Sequence, residues 1–426
     1  MTILPLLRTI QPDQITTLQR APFDAETLAT SERLVREVAE GGQSSLRSLA
    51  ERFDGLTPGA PLLIERPLLE AAADSLPATD RRILKEAAER IRRFADAQRG
   101  AFRDFEIKAD LSGSTITMGQ RVLPLEVVGC YAPGGRHPLP SSVLMTAITA
   151  RAAGVRTVLV ASPRPTAATL AAAAIAGADA LLPIGGAHAI AALAYGVVAP
   201  RCDAIVGPGN KWVTAAKHCV SSSVSIDMLA GPSEVVILSD AKACPRLIAA
   251  DLLAQAEHDE DAMAILVTDS RPLIDATNNQ LAEQLADLPT GRTARAALSR
   301  SFAVLTTSED ESVRVCNRLA PEHLELHAEP ASLDRIKDAL CSYGTLFLGA
   351  GSAEVLGDYG LGPNHTLPTG GTARFAAGLS VYNLLRARTF IRCDTATIPS
   401  PLREDLARFA RMEGLEAHAR AVEARA

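Results

Sequence analysis

Residues 157–162 read Thr-Val-Leu-Val-Ala-Ser, 180–184 read Ala-Leu-Leu-Pro-Ile, and 204–207 read Ala-Ile-Val-Gly. Between them lie 166–176 and 187–195, alanine-rich and long enough for two or three helical turns. Short, continuously apolar runs of this kind suit strands covered on both faces, and their alternation with helices implies mostly parallel sheets joined by right-handed crossovers. The pattern continues in strand candidates at 235–239, 264–268, 303–307, 323–327 and 345–348. Helical stretches at 211–220, 245–257, 272–288, 311–319 and 332–340 separate them. So many strands exceed one comfortable sheet. Two α/β units are expected, divided near Ala230-Gly-Pro-Ser233, where Gly and Pro interrupt regular structure. Upstream, 80–94 reads as an amphipathic helix with Thr79 as its N-cap and Ile83, Leu84, Ala87, Ala88, Ile91 and Phe94 as its stripe. Residues 105–122 alternate as a hairpin or edge strands would. Both ends read as arms, and 402–426, dense in Arg and Glu, reads as one helix that must pack on its own body or on a second copy.

The chain has 426 residues, of which 47% are apolar, so a large core is affordable and wholesale disorder is excluded. A formal charge of −6 with no long basic run argues against a nucleic-acid surface or an anionic membrane surface. Seven scattered cysteines, an odd number with no CxxC pair, fit free thiols in a reducing compartment such as the cytoplasm. The opening Met1-Thr-Ile-Leu-Pro-Leu-Leu-Arg8 lacks the cationic leader of a signal peptide. The most apolar stretch, 167–200, is interrupted by Gly177, Asp179, Pro183 and Gly185-Gly186, which no spanning helix would carry.

Four segments carry candidate chemistry: Gln255-Ala-Glu-His258, Pro321-Glu322-His323, Gly357-Asp358-Tyr359 and Glu413-Gly-Leu-Glu-Ala-His418. If they converge, two imidazoles, a carboxylate and an amide can hold one borderline divalent ion. A Glu–His pair then remains for proton transfer. Each segment alone has a plainer reading. His258 would cap a helix C-terminus. Glu322 and His323 would be an ion-pair partner and a half-buried ring. Asp358 would be a turn aspartate. Glu413 and His418 would face solvent. Gln255 and His258, three apart, share a helix face. Glu322 and His323, adjacent, can serve one site only at the entry of a strand, where a loop aims them. Asp358 and His365 lie in a Gly-rich stretch that follows a strand, the usual place for ligand loops. The dinucleotide signals are partial. Gly207-Pro-Gly-Asn-Lys-Trp212 and Gly349-Ala-Gly-Ser-Ala-Glu354 each lack the third glycine, and Gly134-Gly135 is a further loop of close approach. Ser233 lacks a nucleophile-elbow frame and reads as a substrate contact.

Taken together, these blocks resemble the L-histidinol dehydrogenase family, strongest over 128–374 and again at 413–418. Val128-Gly-Cys-Tyr131, Ile205-Val-Gly-Pro-Gly-Asn210, Ala230-Gly-Pro-Ser233-Glu, Ala320-Pro-Glu322-His323-Leu-Glu and Asn364-His365-Thr-Leu-Pro complete the likeness. The resemblance implies an α/β protein with two open, mostly parallel Rossmann-like sheet domains and helical arms, forming a domain-swapped homodimer. The expected divisions are an arm at 1–24, a first domain from 25–128 plus 234–380, a second at 129–233, and a tail at 381–426 that reaches the partner subunit. It implies one Zn2+ per subunit held by Gln255, His258, Asp358 and His418, and Glu322 with His323 as the acid–base pair. L-Histidinol would be touched by Ser233, His323, His365, Glu413 and the metal ligands. NAD would be touched by Tyr131, His188 and Asn210. The reaction implied is a four-electron oxidation of histidinol to histidine through histidinal, reducing two NAD. Two departures stand out: His188 occupies a family glutamine position in Gly185-Gly-Ala-His188, and His137 is not typical of its loop. A zinc hydrolase, a dehydrogenase for another amino or sulfonated alcohol, and a non-enzymatic metal scaffold are the competing readings. NADH formation with histidinol separates the first, and Glu413, which repels an anionic head group, argues against the sulfonated substrate.

Overall fold

The computed structural model describes residues 5–15, 21–111, 114–134, 138–393 and 398–426; His137 lies outside them. Its contacts divide the chain into two units, Met1–Ala97 with Leu125–Leu384, and Gln98–Pro124 with Leu385–Ala426.

The larger unit holds two six-stranded sheets. The first runs, edge to edge, Arg8–Ile10, Phe302–Leu305, Met263–Thr268, Glu234–Ser239, His323–His327, Thr345–Leu348, all parallel. Its central strands Glu234–Ser239 and Met263–Thr268 are mostly apolar at successive positions because both faces are covered. Val235, Ile237, Ala264 and Leu266 enter one core cluster, while Val236, Leu238, Ile265 and Val267 enter the other. The second sheet runs Ile64–Glu65, Ala180–Leu182, Thr157–Ala161, Val127–Tyr131, Ala204–Val206, Ser225–Ile226, parallel except for its first strand. Strands appear wherever the alternation placed them. The parts that apolar runs did not announce are the edges. Arg8–Ile10, assigned to a terminal arm, is a sheet strand paired with Phe302–Leu305.

Residues 25–75 were expected beside 234–380, but they build onto the other sheet. The helix Ala25–Phe53, capped by Asp24 Oδ1 accepting from Thr27 N at 2.7 Å, buries Leu34, Val35, Val38 and Leu46 against the cluster of Ile190, Leu193 and Val213. Gly42, at φ 58°, breaks its regular path. Ile64–Glu65 then pairs antiparallel with Ala180–Leu182. The helix expected over 80–94 spans Ala78–Ala101. Ala87, Ala88 and Ile91 are buried, while Ile83 and Phe94 stay exposed.

The smaller unit is a three-stranded antiparallel sheet, Leu385–Cys393, Ser114–Pro124 and Phe105–Leu111, followed by two helices. The hairpin expected over 105–122 is present, but it belongs with the tail rather than with 234–380. The tail is not one helix. Ser400–Met412 ends at Glu413, Gly414 takes φ 77°, and Glu416–Glu423 follows. Arg411 clamps the break, bonding Glu416 and Glu423 with both edges of its guanidinium. Among the described residues, no helix is long and apolar enough to cross a membrane.

Candidate active site

Glu322 and His323 sit where strand His323–His327 enters the first sheet. Ala320 adopts a left-handed φ of 45° ahead of Pro321, and the turn is tied to the neighbouring strand by Gly344 N to Pro321 O (2.9 Å) and Thr345 N to Glu322 O (3.0 Å). A Cβ on Gly344 would lie 2.5 Å from Glu322 O, so only glycine lets the two strands approach here. Glu322 Oε2 accepts from the backbone N–H of Glu234 at 3.0 Å. Burial pushes its carboxyl well above the ordinary range. The Glu234 amide works against that push, and the charges of Glu234 and Asp358 add to it. Burial lowers the His323 imidazole, with Asp358 opposing and His258 and His365 assisting. A carboxyl raised and an imidazole lowered at one strand entry are the conditions for proton exchange near neutrality.

The helix Pro245–Ala256 ends before His258, so Gln255 lies in its last turn and His258 in the turn beyond, not both on a helix face. Gln255 is 1% exposed, yet neither amide atom has a hydrogen-bond partner. Buried amides are almost always satisfied, so an orphan of this kind points to a ligand. His258 Nε2 lies 3.7 Å from Asp358 Oδ2, and His365 Nδ1 lies 3.5 Å from Asp358 Oδ1. Burial pushes the Asp358 carboxyl up, but the hydrogen bond and charge of His365 and the charges of His323 and His258 hold it down to about 2. The Gly-rich segment carrying Asp358 is anchored by Arg90 Nε donating to Gly360 O at 2.9 Å. Asn364 is fixed on Met145 O and Thr149, and His365 Nε2 meets Ser142 Oγ at 3.3 Å. An amide oxygen, an imidazole nitrogen and an ionised carboxylate are a donor set that a zinc-like ion accepts, and the residues present fit it.

A second group of ligand-type side chains lies deeper. Asp251, Glu325 and His327 keep their ligand atoms within 4.8 Å of one another. They partner each other: His327 Nε2 is 3.2 Å from Glu325 Oε2 and 3.8 Å from Asp251 Oδ2. This trio is not the set read from the sequence; His327 Nδ1 is buried without a hydrogen-bond partner.

The second sheet faces the same cavity from its carboxyl ends. Tyr131 ends its central strand, is 3% exposed, and accepts from Gly186 N at 3.1 Å. Gly207, at φ 115°, ends the next strand, and a Cβ there would lie 2.0 Å from Tyr131 O. Its loop is bolted down by a buried pair. Lys217 Nζ donates to Gly207 O and to Asp227 Oδ1, both at 2.6 Å, while Asp227 Oδ2 accepts from Gly207 N at 2.7 Å. Asn210 caps helix Lys211–Val220, its Oδ1 accepting from Trp212 N and Val213 N. The expectation for His188 needs correction. It is 2% exposed, and its Nε2 is committed to Asp54 Oδ2 at 2.7 Å, so it pins helix Gly186–Tyr195 to the end of Ala25–Phe53 and does not present that nitrogen to a cofactor.

A cavity of about 670 Å3 has Ser233, His258, Glu322 and His365 on one side and Pro208 and Asn210 on another. The two sheets therefore contribute opposite ends. The second sheet offers carboxyl-end loops, as open α/β sheets do. The first offers amino ends, since Ser233, His258 and Glu322 all precede strands. Asp358 was read as part of a carboxyl-end loop, yet the chain after Thr345–Leu348 returns it to the amino end. Glu413 and His418 belong to the smaller unit, where they border a mostly apolar hollow between the tail helices beside Phe409 and Leu415. They flank the helix break, which replaces the single-helix geometry expected of them. Sequence reading missed Ser142, Glu234, Asp251, Glu325 and Glu354. One signal was available: His323, Glu325 and His327 alternate onto one strand face, an unusual polar row in a sheet covered on both sides.

Comparison with known proteins matches residues 19–426 to the histidinol dehydrogenase family model. Curated relatives named histidinol dehydrogenase include that of Methylococcus capsulatus, 42% identical over 91% of this chain and 89% of the relative. That of Thermus thermophilus is 43% identical over 93% of this chain and 95% of its own length. The crystal structure of histidinol dehydrogenase from Elizabethkingia anophelis superposes with a TM-score of 0.90 at 32% identity, covering 99% of this chain and 98% of that one.

Proposed function

The chain belongs to the histidinol dehydrogenase family, and from that premise we propose that it oxidises L-histidinol to L-histidine through L-histidinal with reduction of two NAD. The observation that carries this reading is the orphaned, buried amide of Gln255 in the turn before His258, with His258, Asp358 and His365 close together and the Glu322–His323 pair at the same sheet end. Gln255, His258 and Asp358 would hold a zinc ion, with His418 as a fourth ligand. Bound there, zinc would supply Lewis-acid polarisation of a coordinated substrate group. NAD would supply the hydride acceptor, near Tyr131 and Asn210.

The chain's own residues handle protons and orientation. His323, kept neutral by burial, takes the hydroxyl proton as the alcohol is oxidised. Glu322 takes a proton from the water that adds to the aldehyde; a carboxyl raised by burial is a stronger base once ionised. The Glu234 amide aims it. His365, braced by Ser142 Oγ and by the backbone oxygen of Asp358 at 3.2 Å, and Ser233 orient the substrate. The Ala230–Ser233 and Pro208–Asn210 segments wall the cavity, which limits escape of the aldehyde between steps.

The reading extends to a homodimer in which the tail of one copy brings Glu413 and His418 to the site of the other. Phe409 (59% exposed) and Met412 (76%) on the tail support it, because apolar side chains so open mark a surface meant to be covered. Seven free cysteines suit a cytoplasmic setting. The test is NADH formation on addition of histidinol and NAD, with metal content measured before and after chelation. Failure to reduce NAD with histidinol would reject the substrate assignment, and a metal-free protein of full activity would reject the ligand set.

A further inference from the structure

One buried carboxyl near the acid–base pair has no assigned work. Glu354 opens the short helix Glu354–Asp358; it is 1% exposed, and neither carboxyl oxygen has a hydrogen-bond partner. Such a group destabilises the fold unless something is gained by keeping it. Its backbone N–H donates to Glu325 Oε1 at 2.7 Å, which fixes the residue against the strand that carries His323. The nearest imidazole nitrogen is His323 Nδ1, 3.7 Å from Glu354 Oε2, and that nitrogen is itself buried without a partner. Glu322 Oε2 is equally near, at 3.8 Å, but it is already engaged by the Glu234 amide. Two orphaned groups face each other, and a small rotation of either closes the gap to hydrogen-bond distance; catalytic pairs are often this loose before substrate binds.

We propose that Glu354 is the positioning residue for His323, its carboxyl sharing the proton on Nδ1 and so fixing the orientation of the ring. This rests on the assignment of His323 as the proton acceptor. When His323 takes the substrate hydroxyl proton on its other ring nitrogen, the Nδ1 proton stays against Glu354, and the positive charge forms beside an acceptor rather than in a bare core. Burial and the charges of Asp358 and Glu325 push Glu354 well above the ordinary carboxyl range, which favours a shared proton over a lone carboxylate. Glu325, which holds the Glu354 backbone N–H, is itself hydrogen-bonded to His327 Nε2 at 3.2 Å, with Asp251 Oδ2 3.8 Å from the same nitrogen.

The experiment uses full-length E354Q, H323A, E322Q and the double variant E354Q/H323A, each checked for metal content. In E354Q, kcat for histidinol falls about 100-fold while KM changes less than about threefold. In the H323A background the same substitution has no further effect, because the residue acts through the ring. An equal loss in both backgrounds, or a rise in KM with kcat intact, would overturn the proposal. Proton NMR supplies a readout free of activity, and hence of the histidinol assignment. A far-downfield shared-proton resonance is expected in the wild type and in E322Q, and is lost in E354Q and in H323A. Its absence from the wild type, or its survival in E354Q, would equally overturn the assignment.

Discussion

Replacing Lys217 by methionine removes one charge and keeps most of the aliphatic stem. Lys217 and Asp227 have side chains only 3% and 0% exposed, and their 2.6 Å bond is the sole ion pair described for either. Asp227 would keep its bonds from Gly207 N and Met228 N, both 2.7 Å, but would lose its counter-charge, and Gly207 O would lose its donor. Breaking a buried pair on one side costs about 3–5 kcal/mol; the two surviving amide bonds place K217M near the lower end, about 3 kcal/mol. The assay is urea unfolding at fixed protein concentration and fixed metal, followed by circular dichroism. K217M should lose stability and raise KM for NAD several-fold, because the loop from Gly207 to Asn210 loses its bolt, while KM for histidinol stays put. In K217M/D227N the charge imbalance is gone, so the double variant should be more stable than K217M alone. A K217M protein within about 0.5 kcal/mol of the wild type, or a double variant that simply sums the two losses, would refute the reasoning.

E322Q should retain more of the first oxidation than of the second, since only the second requires an activated water; equal loss of both in single-turnover NADH bursts would show that Glu322 does something else. D251N probes the buried cluster through pH. Burial first, and then Glu325, raise Asp251 from 3.8 to about 7, with His327 opposing. Its contribution to stability is thus complete below the unfolded value of 3.8 and is lost as pH rises through about 7. D251N has no such titration, so its unfolding midpoint should fall less than that of the wild type between about pH 4 and pH 8. Parallel curves would mean that Asp251 is not strained in the fold.

The middle of the chain was legible because doubly covered strands leave uninterrupted apolar runs, as at 157–161, 180–182 and 263–268. Edge strands leave none: Arg8–Ile10 and Ile64–Glu65 are two or three residues long and half polar, and their pairing is decided by distant partners. The break at Gly414 was visible only as a glycine inside a helical pattern, and tertiary packing decided that it would end one helix. In the site, Glu322–His323 could be placed at a strand entry from the Ala-Pro before it. His188 could not be read correctly, because its partner Asp54 lies 134 positions away and carries no local signature. Glu354 was hidden for the same reason. It precedes Asp358 by one helical turn and reads alone as a helix-start acid, and only the fold shows it turned inward against His323.

The pairing of Arg8–Ile10 with Phe302–Leu305 also governs the order of assembly during translation. Leu7 N bonds Asn278 Oδ1, 271 positions downstream, so this strand has no mate until the chain that follows it has been made as far as Leu305. The sheet built from 64–226 completes its strands well before then and can fold as a unit on the nascent chain. Meanwhile the short, arginine-bearing strand waits unpaired, where its brevity and charge disfavour its joining a stranger's sheet.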